Sequence, residues 1–326
     1  MDMTMLQNFE RSLEKAVHWF EANLNDEGAL LGSEPVFRDY AAIPYLFSLM
    51  GRLEKAHRIL HYVQKEYLRH HKEIEFDSHV HARQLSSKDE LSIAIGWVAH
   101  AAHRMGRFEI SIPLFQYLRQ FYEPEQGAFT ARAPRGEAEA VLDFFSTAFL
   151  GWVSLYGGDL VKAQRAGNYL QRSISLQPDI RSSFYLRMDD NGRFITAFES
   201  RNAYYHVISR QKERQAYAAL GFAVGVLGKI YAATSDANYL MTAKSCLESV
   251  QGLSEGESDI QIAWGASVLA NLTKESRFIE LATVFAEKVV AEQVSDGAWQ
   301  SKSAPFIETA NNAIWLAHIV AELSEV

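Results

Sequence analysis

The feature that most constrains this chain is a regular alternation of two kinds of helix-forming segment, in which apolar residues recur at the i, i+3, i+4 and i+7 spacing. Segments with a charged face predict surface-lying outer helices at 5–23, 54–70, 107–122, 160–174, 237–251 and 276–292. Segments rich in Ala, Gly and aromatic residues predict buried inner helices at 39–50, 89–105, 142–156, 213–232, 258–272 and 308–323. The alternation predicts an all-α fold, an (α/α)6 toroid of helical hairpins that forms one domain over residues 1–326.

The connections between these segments also alternate. Each inner segment passes to the next outer one through a short turn, as at Gly51-Arg52 and Gly106-Arg107, where Gly is a common residue just after a helix. The connections from outer to inner segments are mostly longer, and the longest covers 175–212. All long connections therefore emerge on one face of the ring. We expect the functional residues on this open face, because binding residues concentrate on loops that a rigid scaffold positions.

A short motif recurs in the long connections: a polar residue, then Gly, one further residue and a large apolar residue. Its copies are centred on Gly28, Gly127, Gly192 and Gly297. The motif predicts a tight turn followed by an apolar anchor. The copy Gln293-Val-Ser-Asp-Gly-Ala-Trp resembles the Gln–Trp repeat of squalene and terpene cyclases, and the segments around the first two glycines resemble degenerate copies.

Together with the helix alternation, this repeat makes the chain resemble the terpenoid-cyclase and protein-prenyltransferase superfamily of α/α toroids over nearly its whole length. The resemblance implies the toroid fold and a deep central pocket. The Asp-x-Asp-Asp proton-donor motif of squalene-type cyclases is absent from the sequence, and Asp189-Asp190 is the nearest approach to it. Prenyltransferases hold zinc with Asp, Cys and His, whereas Cys246 is expected on an outer helix. The resemblance therefore implies no particular reaction, since one fold hosts many chemistries.

The composition excludes several classes of protein. The formal net charge of −8 is spread along the chain, which argues against a nucleic-acid partner. The single cysteine excludes intrachain disulfides and cysteine-rich metal sites. The sequence contains neither a signal-peptide core nor an apolar run long enough for a membrane span. We therefore predict a cytoplasmic protein with a small-molecule substrate, and the oligomeric state stays open.

Each predicted inner helix begins with an acidic residue. We predict Asp39, Asp143 and Glu308, in that order, as the candidate catalytic acids, because apolar walls around a pocket raise the pKa of a carboxyl group into the range useful for proton transfer. A carboxylate at a helix N-terminus also caps unpaired N–H groups and complements the helix dipole. Capping therefore remains the alternative role for each of these residues.

Two histidines are the candidate conjugate bases, His81 and His206, since imidazole exchanges protons near neutral pH. If the chain is extended around His81, then Asp77, His79 and His81 lie on one side of it. Two histidines and a carboxylate can bind a metal, but this short pattern arises easily by chance. The sequence therefore predicts no metal and no cofactor.

The segment 175–212 is unusually long for a connection, and long connections are often functional. It predicts a β-hairpin near 184–198 with its turn at Asp190-Asn191-Gly192. Arginine and aromatic side chains on such a segment can cover a pocket and hold an anionic group. The predicted substrate-binding residues on this segment and on the inner helices and connections are Tyr185, Arg187, Tyr204, Tyr40, Trp97, Trp152, Trp264 and Trp299.

Three functions follow from these patterns. The first is an enzyme of specialised metabolism that acts on a small, largely apolar metabolite by acid/base-driven cyclisation, isomerisation or elimination. The alternative is a carbohydrate-active (α/α)6 glycosidase or sugar epimerase, which would use carboxylate pairs and stacking tryptophans. The third is a binding or scaffold ring without catalysis. An apolar cavity with one or two acids would favour the first function, and a wet cavity with several carboxylates the second.

Overall fold

The computed structural model describes residues 3–32, 35–68, 91–133, 140–180, 182–209, 212, 215–250, 259–299 and 304–326. The predicted outer segments form α1 (Met3–Ala22), α4 (Leu53–Tyr67), α6 (Phe108–Leu118), α8 (Leu160–Ser175), α11 (Ala237–Val250) and α13 (Ser276–Ala291). The predicted inner segments form α2 (Phe37–Ala41), α3 (Ile43–Leu49), α5 (Leu91–Arg104), α7 (Phe144–Tyr156), α10 (Ala218–Thr234), α12 (Ile260–Thr273) and α14 (Pro305–Ser324). The predicted alternation of helices is confirmed.

The chain divides into two compact units. Unit I comprises Phe121–Val289 and Ala321–Val326, and unit II comprises Asp2–Gln120 and Val290–Val320. Within unit I, the inner helix α10 packs against α7 and α12, while α8 packs on α7 and α11 packs on α10. Within unit II, α3 packs against α4 and α5, and α5 packs against α6. The single-domain organisation stays a prediction.

The inner helices differ from the outer ones in how completely they are buried. In α10 nearly every residue from Ala219 to Gly228 is buried, because its surface is apolar on all sides. Close approach to α12 depends on glycine: a Cβ atom on Gly221 would overlap the backbone of Gln261 and Ile262. The inner helix of the first hairpin is interrupted between α2 and α3, where Pro44 lacks an N–H group and disfavours a helical residue before it.

Three copies of the glycine turn have the same tertiary role. Gly28, Gly127 and Gly297 all have positive φ angles, of 89°, 68° and 102°. A Cβ atom on Gly28 would lie 2.7 Å from the backbone of Arg58 in α4, and one on Gly127 would lie 2.8 Å from the Arg165 carbonyl oxygen in α8. Each turn therefore lies directly against the backbone of an outer helix, where only glycine fits.

The anchor residue of each turn is fixed in the same way. Two residues after the glycine, the backbone N–H donates a hydrogen bond to a hydroxyl group on an inner helix. These bonds are Leu30 N to Tyr40 Oη at 3.0 Å, Phe129 N to Thr147 Oγ1 at 2.9 Å and Trp299 N to Thr309 Oγ1 at 3.0 Å. The turns thus connect an outer helix with an inner one.

The predicted hairpin near 184–198 forms at its tip, where Met188 bridges Phe194, and the short strands form three antiparallel pairs with other partners. The pairs are β1 (Tyr122–Glu123) with β2 (Ala128–Phe129), β3 (Leu142–Asp143) with β5 (Arg187–Met188), and β4 (Ser183–Tyr185) with β6 (Val207–Ser209). A turn does form at the predicted place, where Asp189 N donates to Arg193 O at 2.9 Å. However, β4 pairs with β6, which follows the short helix α9 (Ala203–His206), because this register buries Phe184 and Ile208 together.

Within the described ranges, we find no helix that combines the length and the apolar character required to cross a lipid bilayer.

Candidate functional site

The predicted acid Asp143 forms a buried ion pair with the predicted substrate-binding residue Arg187. Asp143 caps α7, and its Oδ1 accepts a hydrogen bond from Ser146 N at 2.7 Å. Its Oδ2 accepts a hydrogen bond from Arg187 Nε at 3.1 Å, and each residue is only 8% exposed. The two residues also face each other in the β3–β5 register. Asp143 therefore acts as a counter-ion and a cap, which leaves it less suited to be a proton donor than the sequence suggests.

An aromatic side chain packs against this arginine. The guanidinium carbon of Arg187 lies 5.3 Å from the ring centre of Tyr205, close enough for a cation–π interaction. The neighbouring Tyr204 is 53% exposed, and its ring meets that of Tyr205 edge to face at 5.5 Å. A fixed cation beside partly exposed aromatic rings can bind a polar molecule that has an apolar face.

The predicted residues Tyr185 and His206 lie on the same segment. The backbone of Tyr185 is tied to Gln177, whose side chain accepts from Tyr185 N at 2.7 Å and donates to Tyr185 O at 3.0 Å. The His206 ring is stacked on Phe198, with 4.7 Å between ring centres. The structure thus places Asp143, Tyr185, Arg187, Tyr204 and His206 in unit I, on or beside the segment 183–209.

Sequence reasoning missed Tyr169, on α8. It is buried, and its hydroxyl group has no hydrogen-bond partner among the described residues. Burial, followed by the negative charge of Asp143, raises its pKa well above the usual range. Tyr169 is therefore a neutral hydroxyl close to the ion pair. Nothing in the local sequence marks it, because a tyrosine on the buried face of an outer helix is an ordinary core residue.

The other two predicted acids lie in unit II and have raised pKa values. Burial raises the pKa of Asp39, although its Oδ2 accepts a hydrogen bond from Val36 N at 2.8 Å. Glu308 lies in the first turn of α14. The residue as a whole is exposed, yet partial burial of its carboxyl group and then the charge of Glu292 raise its pKa. A raised pKa suits a general acid, so these two carboxyl groups remain candidates.

Most predicted aromatic ligand contacts are core residues. Tyr40 is 1% exposed, Trp152 1%, Trp264 0% and Trp299 2%. Trp97 is 8% exposed and packs against Tyr45 and Trp315 with ring centres 5.6 and 5.7 Å apart. Their burial indicates that these rings stabilise the helix packing. Direct contact between these five side chains and a substrate stays a prediction.

A second polar cluster, in unit II, was not predicted from the sequence. The hydroxyl of Tyr45 lies 3.0 Å from Nε2 of His318, and the Tyr45 ring packs edge-on against His100 at 4.6 Å. Burial, and then the neighbouring His318, lowers the pKa of His100 to about 3, so His100 is neutral at physiological pH. These residues come from three different helices, and no local pattern in the sequence connects them.

The candidate base His81 and the neighbouring Asp77 and His79 lie outside the described residues. In the part of the chain that the structure describes, no group of three or more His, Cys, Asp or Glu side chains is arranged to hold a metal ion.

No protein-family model and no curated sequence matches this chain. Solved structures match it over almost its whole length. A D-mannose isomerase superimposes with a TM-score of 0.71 at 12% identity, covering 98% of both chains. The cellobiose 2-epimerase of Bacillus thermoamylovorans gives 0.69 at 10% identity, covering 98% of this chain and 100% of that one. An α-1,6-mannanase of Salegentibacter sp. gives 0.61 at 12% identity, covering 99% and 100%.

These matches show the fold, which is the (α/α)6 toroid. The predicted resemblance to toroid proteins is confirmed at this level, whereas membership of the terpenoid cyclases is not supported. The three matched proteins are named as enzymes that act on sugars.

Proposed function

We propose that this chain is a carbohydrate-active enzyme, a sugar isomerase or epimerase that moves a proton at the carbon beside the carbonyl group of an open-chain sugar. The observation that carries the proposal is the buried Asp143–Arg187 pair, with Tyr205 beside the guanidinium. Its support is the fold-level likeness to an isomerase and an epimerase at TM-scores of 0.71 and 0.69.

The role of Arg187 is to stabilise negative charge. When a base removes the proton next to the carbonyl group, the electron pair moves onto oxygen and an enediolate forms. A cation that is already oriented stabilises this oxygen without reorganising during the reaction. The hydrogen bond from Arg187 Nε to Asp143 holds the plane of the guanidinium group in one orientation before the substrate binds. The rings of Tyr204 and Tyr205 would contact the apolar face of the sugar.

We assign the proton transfer to His206. It is the only histidine of the segment 121–289 and follows Tyr205 directly in the chain. Its ring is held by stacking on Phe198, so it is pre-positioned. The imidazole would take the proton from the carbon beside the carbonyl group. Return of the proton to the former carbonyl carbon, while the hydroxyl proton passes from one enediolate oxygen to the other, gives isomerisation. Return to the same carbon after the intermediate has turned its opposite face toward the imidazole gives epimerisation.

The test is sugar conversion in heavy water. D-mannose, D-glucose, D-fructose and cellobiose are incubated with the protein, and proton NMR follows both the product and deuterium entering beside the carbonyl group. We expect one sugar to be converted with deuterium incorporated, because a base that exchanges with solvent carries the proton. If no sugar is converted while a polyprenyl compound is cyclised, the proposal fails.

Two substitutions test which side chains carry out the proposed reaction. His206→Gln should lower turnover by roughly 100- to 10,000-fold, the usual contribution of a general base. Arg187→Gln should lower it by roughly 100- to 1,000-fold, as loss of an oxyanion donor does. Arg201→Gln is the matched control, because this arginine lies on the same segment with its side chain 81% exposed. Melting temperatures separate loss of folding from loss of chemistry, and a fully active His206→Gln variant would contradict the assignment.

Glycoside hydrolysis is a second candidate, favoured by one observation. Burial, and then the negative charge of Glu292, raises the pKa of Glu308, so Glu308 is suited to be the protonated acid and Glu292 is the carboxylate that acts on it. Glycosidases use such a pair, with one protonated acid and one carboxylate. Release of reducing ends from an α-1,6-mannan, abolished by Glu308→Gln, would favour this reaction over isomerisation.

A further inference from the structure

A cavity of about 580 Å³ lies on the outer helix α4, within unit II and separate from the residues of the proposed reaction. One wall is the turn at Asp26 and Glu27, and another is Arg107, next to the start of α6. Its volume falls in the range of small-molecule sites, roughly 300–1,000 Å³.

The walls of the cavity are held in place. Arg58 Nη1 donates to the carbonyl oxygen of Asp26 at 3.2 Å, which ties the turn to α4. The tight contact between Gly28 and the Arg58 backbone fixes the same turn. On the other side, Arg107 Nη2 donates to Gln64 Oε1 at 3.2 Å. A site that is formed before binding loses little conformational freedom when a ligand enters.

The lining contains both hydrogen-bond donors and hydrogen-bond acceptors, and its positive and negative charges balance. His57, His61 and Lys65 follow one another at a spacing of four residues and so share one face of α4. With the two arginines, the lining contains three permanent cations, and Asp26, Glu27 and Glu54 supply three carboxylates. A simple ion gains little from such a surface. A hydroxyl group, which both donates and accepts, is well matched to it.

We propose that this cavity is an accessory binding site for a neutral polyhydroxylated molecule, a mono- or disaccharide. The two histidines and Lys65 on this face of α4 hydrogen-bond to the sugar hydroxyls, the carboxylates of the turn accept from them, and Tyr62 adds an aromatic ring to the lining. The site lies on an outer helix and is independent of catalysis, so it binds sugar whether or not the protein converts it.

The experiment is NMR of the histidine side chains of the full chain. The signals of His57 and His61, assigned with His61→Ala, are followed as cellobiose or D-mannose is added. We expect saturable shifts of both signals. The double variant Glu27→Ala/His61→Ala should weaken binding by about tenfold, since two hydrogen-bonding groups are lost. The matched control is Glu10→Ala/His18→Ala, which removes the same residue types from the exposed face of α1.

The outcomes distinguish this site from the proposed reaction. Histidine shifts without any sugar conversion support the accessory site and refute the isomerase. Sugar conversion without histidine shifts supports the isomerase and refutes the accessory site. Shifts with inorganic phosphate but with neither sugar would overturn the polyol assignment and show an anion site. Unchanged binding in the double variant would also overturn it.

Discussion

Gly297 and Gly192 lie in the same local sequence motif, yet their surroundings differ. Both have positive φ angles, of 102° and 75°, and both turns are closed by a backbone hydrogen bond to the residue three positions earlier. A Cβ atom on Gly297 would overlap the carbonyl oxygen of Lys15 in α1. A Cβ atom on Gly192 would meet only the end of the Gln126 side chain, at 3.4 Å.

The difference shows that the motif specifies a turn but not what the turn contacts. In both turns an aspartate accepts backbone N–H bonds: Asp296 from Ala298 at 3.0 Å, and Asp189 from Arg193 at 2.8 Å. This bonding is local and follows from the sequence. The turn at Gly192 is instead held by Gln126, whose Nε2 donates to Asp190 O at 3.0 Å. It follows strand β5, and among the described residues a Cβ atom on Gly192 would meet only the Gln126 side chain within 4 Å.

Among substitutions in these turns, Gly297→Ala should lower the free energy of unfolding the most. The new methyl group overlaps a backbone carbonyl and the residue must keep a positive φ angle, so we expect a loss of about 3–5 kcal/mol of unfolding free energy. Urea denaturation measures it. Gly51→Ala is the control, since Gly51 has a φ angle of 72° but open space around it. Equal losses in the two variants would show that the turn does not press on α1.

Gly127→Ala should lower the free energy of unfolding by somewhat less, about 2–4 kcal/mol. The added Cβ would lie 2.8 Å from Arg165 O, and alanine adopts the φ angle of 68° more easily than the 102° of Gly297. Thermal unfolding of this variant is compared with that of Gly106→Ala, at a φ angle of 72° with nothing nearby. The contact with α8 is disproved if the two melting temperatures agree.

Gln293→Ala removes the side chain that joins the Gly297 turn to α1. Gln293 accepts from Ser12 Oγ at 2.7 Å and donates to the carbonyl oxygens of Ser12 and Gly297, both at 2.9 Å. We expect a loss of about 2–3 kcal/mol, roughly 1 kcal/mol for each bond. Denaturant titration of Gln116→Ala, an exposed glutamine on α6, provides the reference. A loss no greater than the reference would mean that solvent replaces these bonds.

The smallest effect should come from Gly192→Ala. Only the positive φ angle opposes the substitution, since the Gln126 side chain can move aside, and we expect a loss of about 1 kcal/mol. Urea denaturation of this variant beside Gly51→Ala tests whether the two agree. A loss as large as that of Gly297→Ala would show that the two turns do not differ in how tightly their surroundings pack against the glycine.

The candidate site was only partly predictable. Both Asp143 and Arg187 were selected from the sequence, but their pairing was not, since they are 44 residues apart and meet only when β3 pairs with β5. Trp152 and Trp264 were assigned to substrate because inner-helix tryptophans have the same local sequence whether they line a pocket or fill a core. Their exposures of 1% and 0% show that they pack in the core, and their contact with a substrate stays a prediction.

The sequence by itself determined the helices and the turns. Periodicity of 3.6 residues and glycines at turns are local properties, and local energies fix them within a few residues of the predicted bounds. The break at Pro44 was not predicted, since 39–50 was expected to be one helix. Only the tertiary structure decided which turn lies on a helix, that β4 pairs with β6, and that Tyr45, His100 and His318 meet. Such contacts depend on which residues far apart in the chain come close together. A pattern along the sequence predicts which helix faces are buried, but not which residues those faces meet.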